Sequence, residues 1–194
     1  VGPIPDIEKV IVPKLSEHED SIYQNKKLFA RISSVYESPA MKDGTFDLAQ
    51  RRLVDDTYKT FLRKGAKLDS SDKAKLSQMN TRLARLFTDF SQNVLADEKG
   101  YVTWIKDKSE LGGLPNSVIA AMGNAAKDRN NKNGDWAITN TRSSMDPFLT
   151  YSSNRPLREK VWRNYYSRGD NGDKYDNNKI IAEILKIRAA RAKL

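Results

Sequence analysis

The 194 residues are 38% apolar and 30% charged and include three Trp, eight Tyr and six Phe, which excludes disorder and collagen-like repetition and leaves enough apolar mass for one core or two small ones. A mean hydropathy of −0.70 and the lack of any run of roughly 18 to 20 apolar residues predict a soluble chain without a membrane span, and Val1–Lys9 has no signal-peptide pattern. With no Cys and one His, His18, disulfides, thiol chemistry, an internal Cys/His zinc site and any Ser-His dyad not based on His18 are excluded.

Helical periodicity then runs through most of the chain. Ser16 and Glu19 have the spacing of a capping box, and Leu15, Ile22, Tyr23, Phe29, Ile32 and Tyr36 keep one face apolar, which predicts a helix over residues 16–37 ended by Ser38-Pro39. Phe46, Leu48, Leu53, Val54, Tyr58, Phe61 and Leu62 predict a second helix closing near Gly65. The third and longest spans residues 69–97, with Leu76, Met79, Leu83, Leu86, Phe87, Phe90, Val94 and Leu95 in steps of three and four. Leu83, Phe87, Phe90 and Val94 are predicted at the centre of a helical bundle formed by residues 1–97.

A different pattern follows in residues 98–141. The β-branched and aromatic stretches 101–105 and 136–141 read as two short strands, and Gly112-Gly113-Leu114-Pro115 turns the chain between them into a helix over 115–129, followed by the polar loop 130–134. From residue 142 onward, Ser143 and Asp146 predict a capped short helix reaching Tyr151. Asn154 caps another helix, with Pro156 in its first turn, that ends at Gly169. A last helix starts near Asp176 with Ile180, Ile181, Ile184, Leu185 and Ile187. It meets no Gly, Asn or Pro before Leu194, so it is expected to run on into a further, catalytic domain, making the whole chain one N-terminal helical region. The fold class expected is mainly α, an antiparallel helical bundle with one two-strand β element.

Candidate chemistry is sparse. The net charge is +9, and residues 142–194 hold 12 basic and 6 acidic side chains, so +6 of the excess is concentrated there. Arg155, Arg158, Arg163 and Arg168 beside Trp162, Tyr165 and Tyr166 have the residue types of a nucleic-acid surface, yet the rings fall at i, i+3 and i+4 with Leu157 and Val161, the spacing of a buried stripe. Asp170, Asp173 and Asp176 with Asn171, Asn177 and Asn178 lack the spacing and the closing Glu of a calcium loop and read as a solvated loop with a helix cap. Arg168-Gly169-Asp170 reads as a helix terminus, His18 as a surface residue, and Asp55-Asp56 as part of a solvated helix face. No catalytic and no metal-binding residue is assigned, and no substrate-binding residue emerges.

Several segments nonetheless carry a likeness, in order and at family spacing. They are residues 20–25 and 28–32, 52–54 leading to 61–68, 73–76, Phe90-Ser91-Gln92-Asn93-Val94-Leu95, Leu111-Gly112-Gly113-Leu114-Pro115, Asn154-Arg155-Pro156-Leu157-Arg158-Glu159, Ser167-Arg168-Gly169 and 176–188. Together they resemble the N-terminal part of the thimet oligopeptidase family of zinc metallopeptidases, with bacterial dipeptidyl carboxypeptidases (peptidyl-dipeptidases) the nearest likeness. The family's H-E-x-x-H zinc helix has no counterpart here, so no ligand or catalytic residue carries over. The resemblance implies a neurolysin-like, almost wholly helical ellipsoid in which this chain is one wall of a channel for short peptides. Zinc would sit in the missing C-terminal catalytic domain, which would be this chain's partner, with none in the chain itself. It further implies a cytoplasmic protein, the periplasm being the other compartment considered, with no nucleic-acid or membrane partner. The competing reading is a self-standing basic helical module that binds nucleic acid.

Overall fold

The computed structural model describes residues 4–131 and 133–194. Residues 1–3 of the segment read for a signal peptide, and Lys132 of the polar loop, lie outside them. The described residues form eight α-helices and a two-stranded sheet, a mainly α fold. The order is α1 (Ile4–Tyr23), α2 (Lys26–Tyr36), α3 (Leu48–Arg63), α4 (Ser70–Gly100), β1 (Val102–Ile105), α5 (Asn116–Lys127), β2 (Trp136–Thr139), α6 (Arg142–Tyr151), α7 (Arg155–Tyr166) and α8 (Asn178–Arg191). Short 3-10 turns lie at Pro39–Met41 and Lys108–Leu111. Two compact units divide the chain: residues up to Asp89 with Ala182–Leu194, and Phe90–Ile181.

In the first unit, two boundaries differ from the sequence reading. The predicted helix over 16–37 is two helices, and the first begins at Ile4, running through Pro13 and past the supposed Ser16–Glu19 box. A proline inside a helix forfeits one backbone hydrogen bond, and here its ring is buried. The break comes at Asn25, whose backbone is extended and whose Oδ1 accepts the Leu28 N–H at 3.0 Å. A local Asn cap competes with helix continuation and wins. The capping box the sequence reading missed opens α3. Asp47 Oδ1 accepts from Gln50 N at 2.8 Å, while Gln50 Oε1 accepts from Asp47 N at 3.0 Å.

The core of this unit is a run of rings where α2 packs on α3. Tyr36 stacks on Tyr58 at 3.9 Å, Phe29 lies 5.6 Å from Tyr58 and 6.2 Å from Phe61, and Tyr23 meets the Phe61 edge at 4.9 Å. Gly65, at φ +88°, turns the chain after α3, where an added Cβ would sit 2.5 Å from the Leu76 side chain. Along α4, Leu76, Leu83 and Leu86 are buried, but Phe87 is 47% exposed. The expected burial of Phe87 is therefore corrected. The apolar line follows Leu76, Leu83 and Leu86, and Phe87 stands about 100° further round the helix, on a cleft of about 530 Å³ that it shares with Arg63, Asn80 and Arg191. On α1, Ile4, Ile7, Ile11, Leu15 and Ile22 recur at helical spacing and all lie exposed.

In the second unit β1 and β2 pair antiparallel, Val102 opposite Thr139 and Ile105 opposite Trp136. Both strands fall within the predicted ones, and β2 ends two residues short of Thr141, which becomes the N-terminal flank of α6. The predicted Ser143–Asp146 capping box is absent: the helix starts after Thr141 with no side-chain cap, Ser143 Oγ lies 3.2 Å from Thr141 Oγ1, and Asp146 pairs with Arg142 at 2.9 Å. α5 covers β2, and α6 packs on both β2 and α7. Their core comprises Ile105, Leu111, Leu114, Met122, Ile138, Met145, Phe148 and Val161. Gly113, at φ +82°, lets the Gly-Gly turn press against the Tyr151 carbonyl, where a Cβ would collide.

Candidate functional site: a buried carboxylate and an exposed aromatic face

Sequence analysis missed the polar centre of the second unit. Asp97, near the end of α4, is 1% exposed, and its Oδ2 accepts from Gly169 N at 2.7 Å and Asn171 Nδ2 at 2.9 Å. Its Oδ1 is buried without a hydrogen-bond partner among the described residues. Asn177, equally buried, accepts from Asn93 Nδ2 at 3.0 Å and donates to the Phe90 carbonyl at 3.2 Å. Gly169, at φ +74°, leaves room for the Asn177 amide, which would lie 2.7 Å from an added Cβ. Arg168 donates to Glu98 at 2.9 Å, with its guanidinium 3.8 Å from the Tyr165 ring centre. The Arg168-Gly169-Asp170 tripeptide is thus the C-terminal turn after α7, pinned to α4. The signal available in sequence was an acidic residue on the inward side of an apolar-periodic helix, where an unpaired charge is costly.

The Asp/Asn loop satisfies itself. Asp173 Oδ1 accepts from Tyr175 N at 2.8 Å, Asp176 takes the amides of Gly172 at 3.0 Å and Asn178 at 2.8 Å, and Asp170 Oδ1 accepts from Asn178 Nδ2 at 2.7 Å. These backbone donors, Asn178 foremost and then Gly172, hold the Asp176 carboxyl below the ordinary carboxylate range. Burial, reinforced by the Asp173 and Asp97 charges, pushes the Tyr101 phenol up. Among the described residues no three His, Cys, Asp or Glu side chains gather to hold a metal ion. His18 is exposed on α1, where its carbonyl accepts from Ser21 Oγ at 2.7 Å. Asp55 and Asp56 pair separately with Lys59 and Arg52, each at 2.7 Å. The donor set does not fit a zinc centre.

In the first unit, Asp20 plays the part that Asp97 plays in the second. It is buried and accepts from Ser77 Oγ at 2.7 Å and Asn80 Nδ2 at 2.8 Å, and Asn80 Oδ1 takes Arg191 Nη1 at 3.0 Å. Nearby, Lys73 is buried with its Nζ on the Gln24 carbonyl at 3.1 Å, and burial, with Lys26 adding, pulls its amine below the ordinary lysine value.

The expected buried stripe on α7 is half right. Val161 is buried, and Leu157 and Tyr165 pack against the core, whereas Trp162 and Tyr166 are 47% and 65% exposed. The reason is geometric: α7 packs on α6 through the face carrying Leu157, Val161 and Tyr165, and Trp162 and Tyr166 each stand one position beyond it.

No family model matches the chain. Individual relatives do match over nearly its whole length. It is 33% identical over 189 residues to organellar oligopeptidase A, chloroplastic/mitochondrial, of Arabidopsis thaliana, covering 95% of this chain and 24% of that protein. Against Oligopeptidase A of Haemophilus influenzae the identity is 32% over 187 residues, covering 94% of this chain and 27% of that protein. Against the Dipeptidyl carboxypeptidase of Escherichia coli it is 33% over 181 residues, covering 93% and 26%. The chain therefore spans about a quarter of the length of these curated relatives, whose class is peptidases. These relatives are larger proteins of the thimet oligopeptidase family, and this chain is similar to a part of them over nearly its whole length.

Proposed function

We propose that this chain is the non-catalytic N-terminal part of a zinc-dependent oligopeptidase or peptidyl-dipeptidase, cytoplasmic, that hydrolyses short peptides. In this reading it forms one wall of the channel that admits unstructured peptides, and the remainder of the protein holds the metal and the reacting groups. One observation carries the proposal: about a third of the positions are identical over more than nine-tenths of this chain, in peptidases of which it matches only about a quarter. The lack of a fitting ligand set among the described residues supports placing the zinc elsewhere.

The decisive experiment is reconstitution. The chain alone, with zinc supplied, is expected to leave a quenched short peptide uncleaved, and adding the separately produced remainder of the protein is expected to restore cleavage. Its +9 charge would make association with an acidic remainder faster at low ionic strength. Chelator-sensitive cleavage by the chain alone would overturn the reading, as would tight association of the two parts without any cleavage.

A further inference from the structure

Near the start of α3, Arg51 is buried over most of its surface, and its charge is unanswered. Among the described residues its Nε lies buried without a hydrogen-bond partner, and neither Nη makes a hydrogen bond or an ion pair. A guanidinium carries five N–H donors and no acceptor, so burying one without an acceptor opposite is costly. The next residue shows the ordinary alternative: Arg52 is exposed and gives its Nε to Asp56 at 2.7 Å.

Arg51 borders a cleft of about 640 Å³ between the end of α2, the turn that follows it and the first two turns of α3. The apolar wall is Met41, Leu48 and Tyr36, whose ring is held against Tyr58 at 3.9 Å with planes 4° apart. The charges can be followed one by one. Arg52 and Asp55 line the cleft but are engaged along α3 with Asp56 and Lys59, each at 2.7 Å. Asp43 and Asp47 accept the amides of Thr45 at 2.9 Å and Gln50 at 2.8 Å. What remains unanswered on the cleft is one carboxylate, Glu37, against two cations, Arg51 and Lys42. From Glu37 to Lys59 there are four basic and five acidic side chains, so no broad positive field gathers anions here. Selection falls to contacts at the guanidinium itself.

We propose that this cleft binds a small phosphate monoester with an aromatic or branched aliphatic body, its oxygens held by the Arg51 guanidinium and Lys42 and its body laid on Leu48, Met41 and Tyr36. Two free cations match the two charges such an ester carries above a second pKa of about 6, and the guanidinium fork fits phosphate oxygens in pairs. Glu37 repels the ester and limits its affinity. The site goes beyond the peptidase reading and does not depend on it, since its ligand is no peptide and it needs no reacting group.

Phenyl phosphate titrated into the chain is expected to move the Arg51 Nε–H signal of a ¹H–¹⁵N spectrum saturably, that signal being assigned by its loss in Arg51→Lys. With binding followed at the Leu48 backbone amide, Arg51→Lys should weaken it by about tenfold or more, because an ammonium offers no fork. Lys42→Gln should weaken it several-fold, and Glu37→Gln should tighten it. Leu48→Ser, at a side chain 79% exposed, should weaken phenyl phosphate and leave inorganic phosphate as it was. Affinity should fall as pH drops through about 6, where the ester takes up a proton. Absence of a saturable shift at millimolar phenyl phosphate overturns the proposal. So does benzoate binding as tightly as phenyl phosphate, which would make this a carboxylate site. Binding indifferent to both Lys42→Gln and Leu48→Ser overturns it as well, and because those two positions are exposed the test stands even if Arg51→Lys fails to fold.

Discussion

In the unit of residues 90–181, Phe148, Ile105, Ile138 and Met145 are sealed from solvent between a two-stranded sheet and the helices α5, α6 and α7. In the other unit the best-buried rings, Phe29, Tyr58 and Phe61, form a stack along one helix pair, and the apolar line of α1 stays open. A sheet presents a continuous face that helices can cover, so even four-residue strands organise a closed core. Helices alone bury a stripe each, and an uncovered stripe remains exposed. The two units spend similar apolar composition on different degrees of closure.

The largest effect that would test this contrast is at Phe148. Phe148→Ala is expected to cost about 3–5 kcal/mol in denaturant unfolding, whereas Phe87→Ala, at a half-exposed ring, should cost under about 1 kcal/mol. Equal losses would erase the distinction between closed and open packing.

Next comes the buried carboxylate that ties the end of α4 to the turn after α7. Asp97→Ala strands the Gly169 N–H and the Asn171 amide and should cost about 1–3 kcal/mol. Asp97→Asn, which keeps an acceptor and carries no charge, should cost less. Faster amide exchange at Gly169 in the Ala variant, with little change in the Asn variant, would be the direct readout.

The smallest effect concerns pH. Asp176 has its folded pKa depressed by the Asn178 and Gly172 amides, so its contribution to the loop is present above the ordinary carboxylate value of about 3.9 and is lost as pH falls through the lower folded value. The amide signals of Gly172 and Asn178 are expected to shift together over that acid range, and Asp176→Asn should abolish the coupled titration. A titration that survives the substitution would assign it to another group.

How far these features were legible in sequence depends on whether one residue or several determine them. The strands around Thr103 and Ile138 and the Asn154 cap of α7 follow from residue type and short spacing, and the structure has them. The Asn25 break was hidden because Ile22, Tyr23 and Phe29 continue the apolar period across it, while a single side-chain oxygen decides the backbone. Trp162 and Tyr166 were read as buried because periodicity gives the width of an apolar stripe without saying how much of it a neighbour covers. Asp97 and Asn177 were missed for a further reason. Their partners, Gly169, Asn171 and Asn93, are far away in the chain, and only the fold brings them together. The catalytic groups of the family are assigned to no residue, since that question turns on residue types and this sequence has one His.

The division of the chain also fixes an order of completion during synthesis. β1 has no partner until β2 has been made on the far side of α5, but everything the second unit needs has been synthesised once Ile181 is in place. The first unit is begun earlier and finished later, because Glu183, held at 2.6 Å by Arg82, and Arg191, donating to Asn80, come from the stretch after Ile181. On the ribosome, α1 to α3 can gather their rings through local contacts while the strands are still being translated. The unit that starts first must wait, with Arg82 and the Oδ1 of Asn80 unanswered, until the other has been made in full.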